Sequence, residues 1–235
     1  IWPLLWVCVT IVSALGLLVG NGVDIGKILL NITTLFGFFA PTEYINTGAW
    51  SIGNEMVYYA MTPFIIAIYN YKKALGNIVV LCSIFIGLYF AFFAFTPTDL
   101  ASQWSTYINP FNNLFFYTCG IALYYNCHEL NLKKCAYLFI LVPLLIYAFY
   151  PVSGNQINIV SGFNRVVFSI SAIVLTLGFY KLIVDLPALI SKPLANLGEA
   201  TYGVYLLHPI VYMFVNKVVN QPIYVILLAS LVTII

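Results

Sequence analysis

Charge is what this sequence has least of. Lys, Arg, Asp and Glu together make up 7% of 235 residues, against the ~25% of an ordinary soluble domain. So little polar surface cannot coat a water-soluble particle, and a chain this apolar is not disordered either. The net charge of +2 is spread thinly and gives no reason to expect a nucleic-acid partner. Cys8, Cys82, Cys119, Cys127 and Cys135 lack the spacing of a disulfide framework. Cys127, His128 and Cys135 have no fourth ligand and no C-x-x-C step, so no metal is expected. Asn31-Ile32-Thr33 fits a glycosylation acceptor, but it lies in an apolar run where no glycan would be attached. There is no internal repeat and no hydrophilic domain.

What the chain has instead is apolar length. Hydrophobic residues make up 63% and the mean hydropathy is +1.00. Runs that approach a bilayer crossing lie at roughly 1–19, 28–40, 50–69, 77–95, 112–126, 135–150, 159–180, 199–216 and 223–235. Helices are the default, because unpaired backbone groups cannot face hydrocarbon and the runs lack the alternation of barrel strands. The expected fold is therefore all-α, a polytopic transmembrane bundle of about nine helices, in one domain over 1–235. Runs 28–40 and 223–235 are short against the ~20 residues of a crossing, so the first is expected to be partly re-entrant and the second cut short. The start at Ile1, inside an apolar run, predicts further helices upstream.

Lysines sort by loop. Lys27, Lys72 with Lys73, Lys133 with Lys134, and Lys181 with Lys192 alternate with loops near 41–49, 96–111 and 151–158 that hold no Lys or Arg. This is the positive-inside pattern, and it places the lysine loops in the cytoplasm of a multi-pass inner-membrane protein. Only Lys217 dissents. Trp2, Trp50 and Trp104 fall near run ends or in an outer loop, as interfacial anchors do.

Against this background the intramembrane polar residues stand out. Glu55 lies one and a half turns into its run, with Ser51 four residues before and Tyr58 and Tyr59 three and four after. An ionised carboxylate in hydrocarbon costs several kcal/mol, so Glu55 is expected to face the bundle interior or to be protonated, either as a functional group or as a pin between helices. Arg165, flanked by Ser161 and Ser169 at four-residue steps, suits a carboxylate, a phosphate or a developing oxyanion; a plain ion pair with Glu55 is the alternative. Thr201, Tyr205, His208 and Tyr212 share a helix face, and His208-Pro209 marks a kink. Asn109, Asn112 and Asn113 sit where an outer loop meets a helix, placed to cap it or to bind sugar hydroxyls. One shared cavity for Glu55, Arg165 and His208 costs less than burying each alone.

Two segments carry a resemblance. Trp50-Ser51-Ile52-Gly53-Asn54-Glu55, followed by Tyr58-Tyr59 and Pro63, resembles the W-S-(L/I)-(S/G)-V-E-x-Q-F-Y-x-x-x-P signature of membrane acyltransferase family 3. Leu197-Gly198, Thr201-Tyr202-Gly203-Val204-Tyr205 and Leu206-Leu207-His208-Pro209 resemble its late L-G-x-x-S-Y-x-(L/I)-Y-L-x-H-P signature. Asn54 and Met56-Val57 depart from the pattern beside the carboxylate. The resemblance implies a domain of about ten helices that moves an acyl group, usually acetyl from cytoplasmic acyl-coenzyme A, to a hydroxyl of a surface glycan. With it, Glu55 is expected to be catalytic and Trp50 and His208 to meet the acceptor, while the residue chemistry adds Asn112, Asn113 and Arg165 as expected acceptor contacts and Lys72, Lys73, Lys133 and Lys134 as charges for the coenzyme A phosphates. The partners implied are membrane lipid, the glycan acceptor and the acyl donor. The family's R-x(10)-H histidine and its arginine pair would precede Ile1, which predicts that the stretch 1–235 is inactive alone. The alternative class is a glycan flippase or polymerase, or a small-solute transporter.

Overall fold

The computed structural model describes residues 2–18, 20, 22 and 24–218. Their regular structure is entirely helical, as the composition requires. The run at 223–235 lies outside the described residues. The chain groups into two compact units, one of residues 1–56 with 185–235 and one of 57–184.

In the first unit, α1 (Trp2–Leu18) carries Pro3 in its opening turn, where the missing N–H costs nothing. The run at 28–40 does not form one helix. It gives α2 (Ile25–Ile32), capped by the Asp24 side chain accepting from the Lys27 N–H, and a single turn α3 (Phe36–Phe39). Thr34 between them has φ +62°, a left-handed conformation that β-branched residues rarely adopt. Eight and four residues are too few to cross a bilayer.

The two flanks of this broken run are also held together. Lys27 Nζ is 3.0 Å from the Glu43 carboxylate. The fully buried Asn31 side chain donates to the Lys27 and Glu43 carbonyls and accepts from the Ile45 N–H. Lys27 therefore shares an end of the unit with the segment 41–49, and the strict alternation read from the lysines fails at this one position. The reason is that the run between them turns back instead of spanning.

The unit is completed by the start of α4 (Ala49–Tyr71) and by α11 (Ala188–Val218), which begins well before the apolar run at 199–216. The contacts of α1 and α11 advance together, a Cβ on Gly203 lying against Leu4 and the Leu206 carbonyl against Cys8 Sγ, so the two helices are parallel. Leu5, Cys8, Val9, Phe36, Ile52 and Leu206 form the core between them. Gly37 and Gly53 cross without side chains. A Cβ on Gly37 would collide with the Gly53 backbone, and one on Gly53 would strike the Phe36 ring. The glycine of the early motif is thus required by close approach.

In the second unit, α5 (Lys73–Tyr89) follows α4 after the single extended residue Lys72 and ends in a π-helical stretch, Phe90–Ala94. After a loop holding the short α6 (Trp104–Tyr107) come α7 (Pro110–Cys127), α8 (Ala136–Phe149), the single turn α9 (Ile157–Val160) and α10 (Gly162–Lys181). Two of these segments, Lys73–Ala94 and Gly162–Lys181, are long and apolar enough to cross a membrane. Asn77, one turn into α5, hydrogen-bonds Asn126 near the end of α7. His128 after α7 hydrogen-bonds Tyr180 at the end of α10, and Lys133 before α8 lines a cavity with both. Lys72, Lys73, Lys133, Lys134 and Lys181 consequently collect at one end of this unit, which is the sorting that the loops predicted.

The Gly37–Gly53 crossing gives a stability test. Gly53→Val should overpack it and lower stability by about 1–3 kcal/mol or more. Gly120→Ala, in the interior of α7 with no atom within 4 Å of the added methyl, should be neutral or stabilise by about 0.5–1 kcal/mol. Thermal unfolding in detergent measures both, and equal midpoints for Gly53→Val and the parent would contradict the close approach.

Candidate functional site

The two motif segments meet in the first unit. Ser51 Oγ and Tyr205 Oη are 2.8 Å apart, and a Cβ on Gly48 would press on the Tyr205 carbonyl and ring. Trp50 precedes Ser51 and is half-buried, as is Glu55 one turn further along α4. Asn54, the departure from the family pattern, is buried, and its Oδ1 accepts no hydrogen bond among the described residues.

His208 stands one turn beyond Tyr205, and Pro209 decides its state. Proline has no N–H, so the Tyr205 carbonyl four residues earlier loses its helical partner. His208 Nδ1 lies 2.7 Å from that carbonyl oxygen. A carbonyl only accepts, so Nδ1 carries a proton in this contact and Nε2 is the nitrogen turned away from it. The next carbonyl, Leu206, accepts from the buried Asn46 side chain at 2.9 Å. The proline step therefore leaves neither oxygen bare, and it orients an imidazole exposed at the surface of the unit.

Arg165 lies in the second unit. Ser161 is not on its helix: it is the extended residue before α10, and its hydroxyl donates back to the Ile157 carbonyl. Arg165 is thus the fourth residue of α10, and of the expected stripe only Ser169 remains. Its side chain is 7% exposed. It donates from Nη1 to the Val160 carbonyl (3.2 Å) and from Nη2 to the Asn112 carbonyl (2.7 Å), with the Phe115 ring 5.8 Å from its central carbon. Asn109 is the cap of α7, accepting from the Phe111 N–H, while Asn112 is fully buried and donates from Nδ2 to the Tyr107 carbonyl. Asn112 Oδ1 accepts nothing among the described residues, at a cost of about 1–3 kcal/mol. Tyr58 of the early motif donates to the Pro110 carbonyl at 2.6 Å and so ties α4 to this same helix start.

Arg165 separates two cavities. One, of about 260 Å³, is apolar and lined by Ile84, Ala91, Phe115 and Ile170. The other, of about 230 Å³, is lined by Tyr107, Asn112, Asn113, Tyr147 and Phe168. At the lysine end, a third cavity of about 400 Å³ takes in Lys133 and Lys181 beside His128 and Tyr180. Lys181 Nζ donates to the His128 carbonyl at 2.8 Å. Lys72, Lys73 and Lys134 are exposed and do not line that cavity.

Of the expected site residues, Trp50, Glu55 and His208 belong to the first unit, and Asn112, Asn113 and Arg165 gather in the second. Reasoning from sequence missed Asn31, Asn46 and Lys181 as positioning groups. Their signal was an amide or ammonium in or beside an apolar run, with no partner visible nearby in sequence.

Two of the described helices are long and apolar enough to cross a membrane, and with the family that follows they make this a membrane-associated protein. A family model described as an acyltransferase domain matches residues 1–235, and the chain belongs to that family, membrane acyltransferase family 3. Its activity is accordingly of the acyltransferase class. No curated protein and no solved structure matches the chain.

The kink is testable through the tautomer it sets. Pro209→Ala restores an N–H for the Tyr205 carbonyl and removes a helix penalty of about 3 kcal/mol. The variant should unfold at higher temperature while the His208 ring loses its single tautomer, read from the nitrogen shifts of labelled histidine. A ring held in the Nδ1–H form in both proteins would show that Pro209 does not control it.

Proposed function

We propose that the protein carrying this chain transfers an acyl group, normally acetyl, from acyl-coenzyme A to a hydroxyl of an exported or surface glycan, as a multi-pass protein of the bacterial inner membrane. The observation that carries the reading is the Ser51–Tyr205 contact, which joins the two family segments with Glu55 and His208 each one turn further along its helix. In the reaction the acceptor oxygen attacks the thioester carbonyl carbon. A C–O bond forms, the C–S bond breaks, and the hydroxyl proton passes by way of a base to the departing sulfur, so that coenzyme A leaves as the thiol. Glu55 is the catalytic carboxylate assigned to that proton. In the first unit, His208 and Trp50 are assigned to the acceptor; in the second, Arg165, Asn112 and Asn113 are.

The donor side is supported by the lysine end of the second unit. Lys133, grouped with Lys181 and His128 around one cavity, is the best placed of the four lysines for the coenzyme A phosphates. Lys72, Lys73 and Lys134 add charge at the same end, where they steer an anion more than they hold it.

Two experiments test this reading. Glu55→Gln keeps shape and removes charge. Acyl content of glycans from cells expressing the variant, measured by proton NMR at matched protein level, should fall about 100-fold or more; unchanged acylation would reduce Glu55 to a structural part, and acyl content independent of the gene would favour a transporter. Single cysteines introduced at 133 and at 43 should react with an impermeant reagent from opposite sides of the membrane, 43 from outside intact cells. Labelling of 133 from outside would overturn the orientation.

A further inference from the structure

Resting on the reading of the chain as a glycan acyltransferase, we infer that the polar cavity at Arg165 binds a carboxylate-bearing sugar, the acidic residue of the acceptor glycan. The cavity is lined by Tyr107, Asn112, Asn113, Tyr147, Arg165 and Phe168, among others. Two of these groups lack what they need. Arg165 is buried, yet both of its hydrogen bonds go to main-chain carbonyls, which orient a guanidinium without neutralising it. Three of its five N–H groups are left over.

The unit offers no internal counter-ion. Its two acidic residues are Asp99 and Glu129. Asp99 accepts from the Ser102 N–H in an exposed loop, and Glu129 lines the cavity at the lysine end. A buried cation without a carboxylate is costly in an apolar helix, and an anionic ligand removes that cost. Asn112 is fully buried with its Oδ1 unpaired, and the half-buried Asn113 beside it lines the same space, so the lining offers an amide to the hydroxyls of a sugar.

The choice of carboxylate follows from charge. No lysine or histidine lines this cavity, so one guanidinium faces the ligand, and a single negative charge matches it where a phosphate dianion would leave charge uncompensated. At about 230 Å³ the space is below the ~300–1,000 Å³ of drug-sized pockets and fits one ring. The aromatic rings of Tyr147 and Phe168, parallel with centroids 5.7 Å apart, give it an apolar wall.

Titration calorimetry and saturation-transfer NMR on the detergent-solubilised full chain test this with methyl α-galacturonoside, methyl α-galactoside and inorganic phosphate. The uronoside should bind about tenfold or more tighter than the galactoside, the scale of one charge-assisted hydrogen bond. Phosphate at equal concentration should not displace it, and Arg165→Gln should bring the two sugars to the same affinity. Equal affinities in the unmodified protein, no saturable uronoside binding, or displacement by phosphate would each overturn the inference, and none of these needs the variant to fold. Acyl transfer is assayed separately. Transfer without uronoside preference removes this inference alone, whereas uronoside preference in a protein with no effect on glycan acylation removes the proposed activity and leaves the site standing.

Discussion

Inside an apolar helix a polar group has no water to turn to, so each donor and acceptor must find its partner within the protein. In this chain the partner is, again and again, a main-chain carbonyl. Asn46 and His208 take the two oxygens beside Pro209, and Arg165 takes those of Val160 and Asn112. Tyr58 takes Pro110, Lys181 takes His128, and Asn31 takes Lys27 and Glu43. Four of these eight oxygens, those of Tyr205, Val160, His128 and Glu43, stand one turn before a proline, at a helix C-terminus or in a loop, where no helical N–H reaches them; the other four accept a second bond within a helix. Polar side chains and helix irregularities are therefore placed for one another, and that pairing fixes where the functional groups stand.

This dependence explains what could be read from the sequence. The all-helical fold followed from composition, and the helices at 50–69, 77–95, 112–126 and 135–150 fell close to their runs because apolar length alone determines them. The residues that break apolar runs, Glu55, Arg165 and His208, were visible as expensive exceptions. The partners of such residues were not. Asn46 and Leu206 are separated by 160 positions, and no periodicity marks such a pair. The turn at Thr34 was hidden because Thr34 is no turn former, and the Ser161–Gly162 break because Ser161 reads as helix-compatible. Both changed the outcome: one brought Lys27 round to Glu43, and the other moved Arg165 into the first turn of its helix.

The same constraint accounts for the choice of cation at each end of the second unit. At the lysine end, Lys181 spends one N–H on the His128 carbonyl, with the Tyr180 ring 5.1 Å from its nitrogen. Its ammonium can rotate its remaining protons toward a cavity shared with Lys133. Such an end gathers mobile anions by summed charge and needs little fixed geometry.

At the other end the cation is a guanidinium. Burial favours the neutral form of an amine, whereas a guanidinium keeps its charge and has more donors than two carbonyls can occupy. Pinned by Val160 on one terminal nitrogen and Asn112 on the other, the plane of Arg165 is fixed before any ligand arrives, and the entropy of ordering a long side chain is spent in folding and not in binding. A group held that way discriminates by direction as well as by charge. The chain thus gathers amines around a cavity at one end of the unit and places a single guanidinium, fixed in direction, at the other, with apolar helices between them.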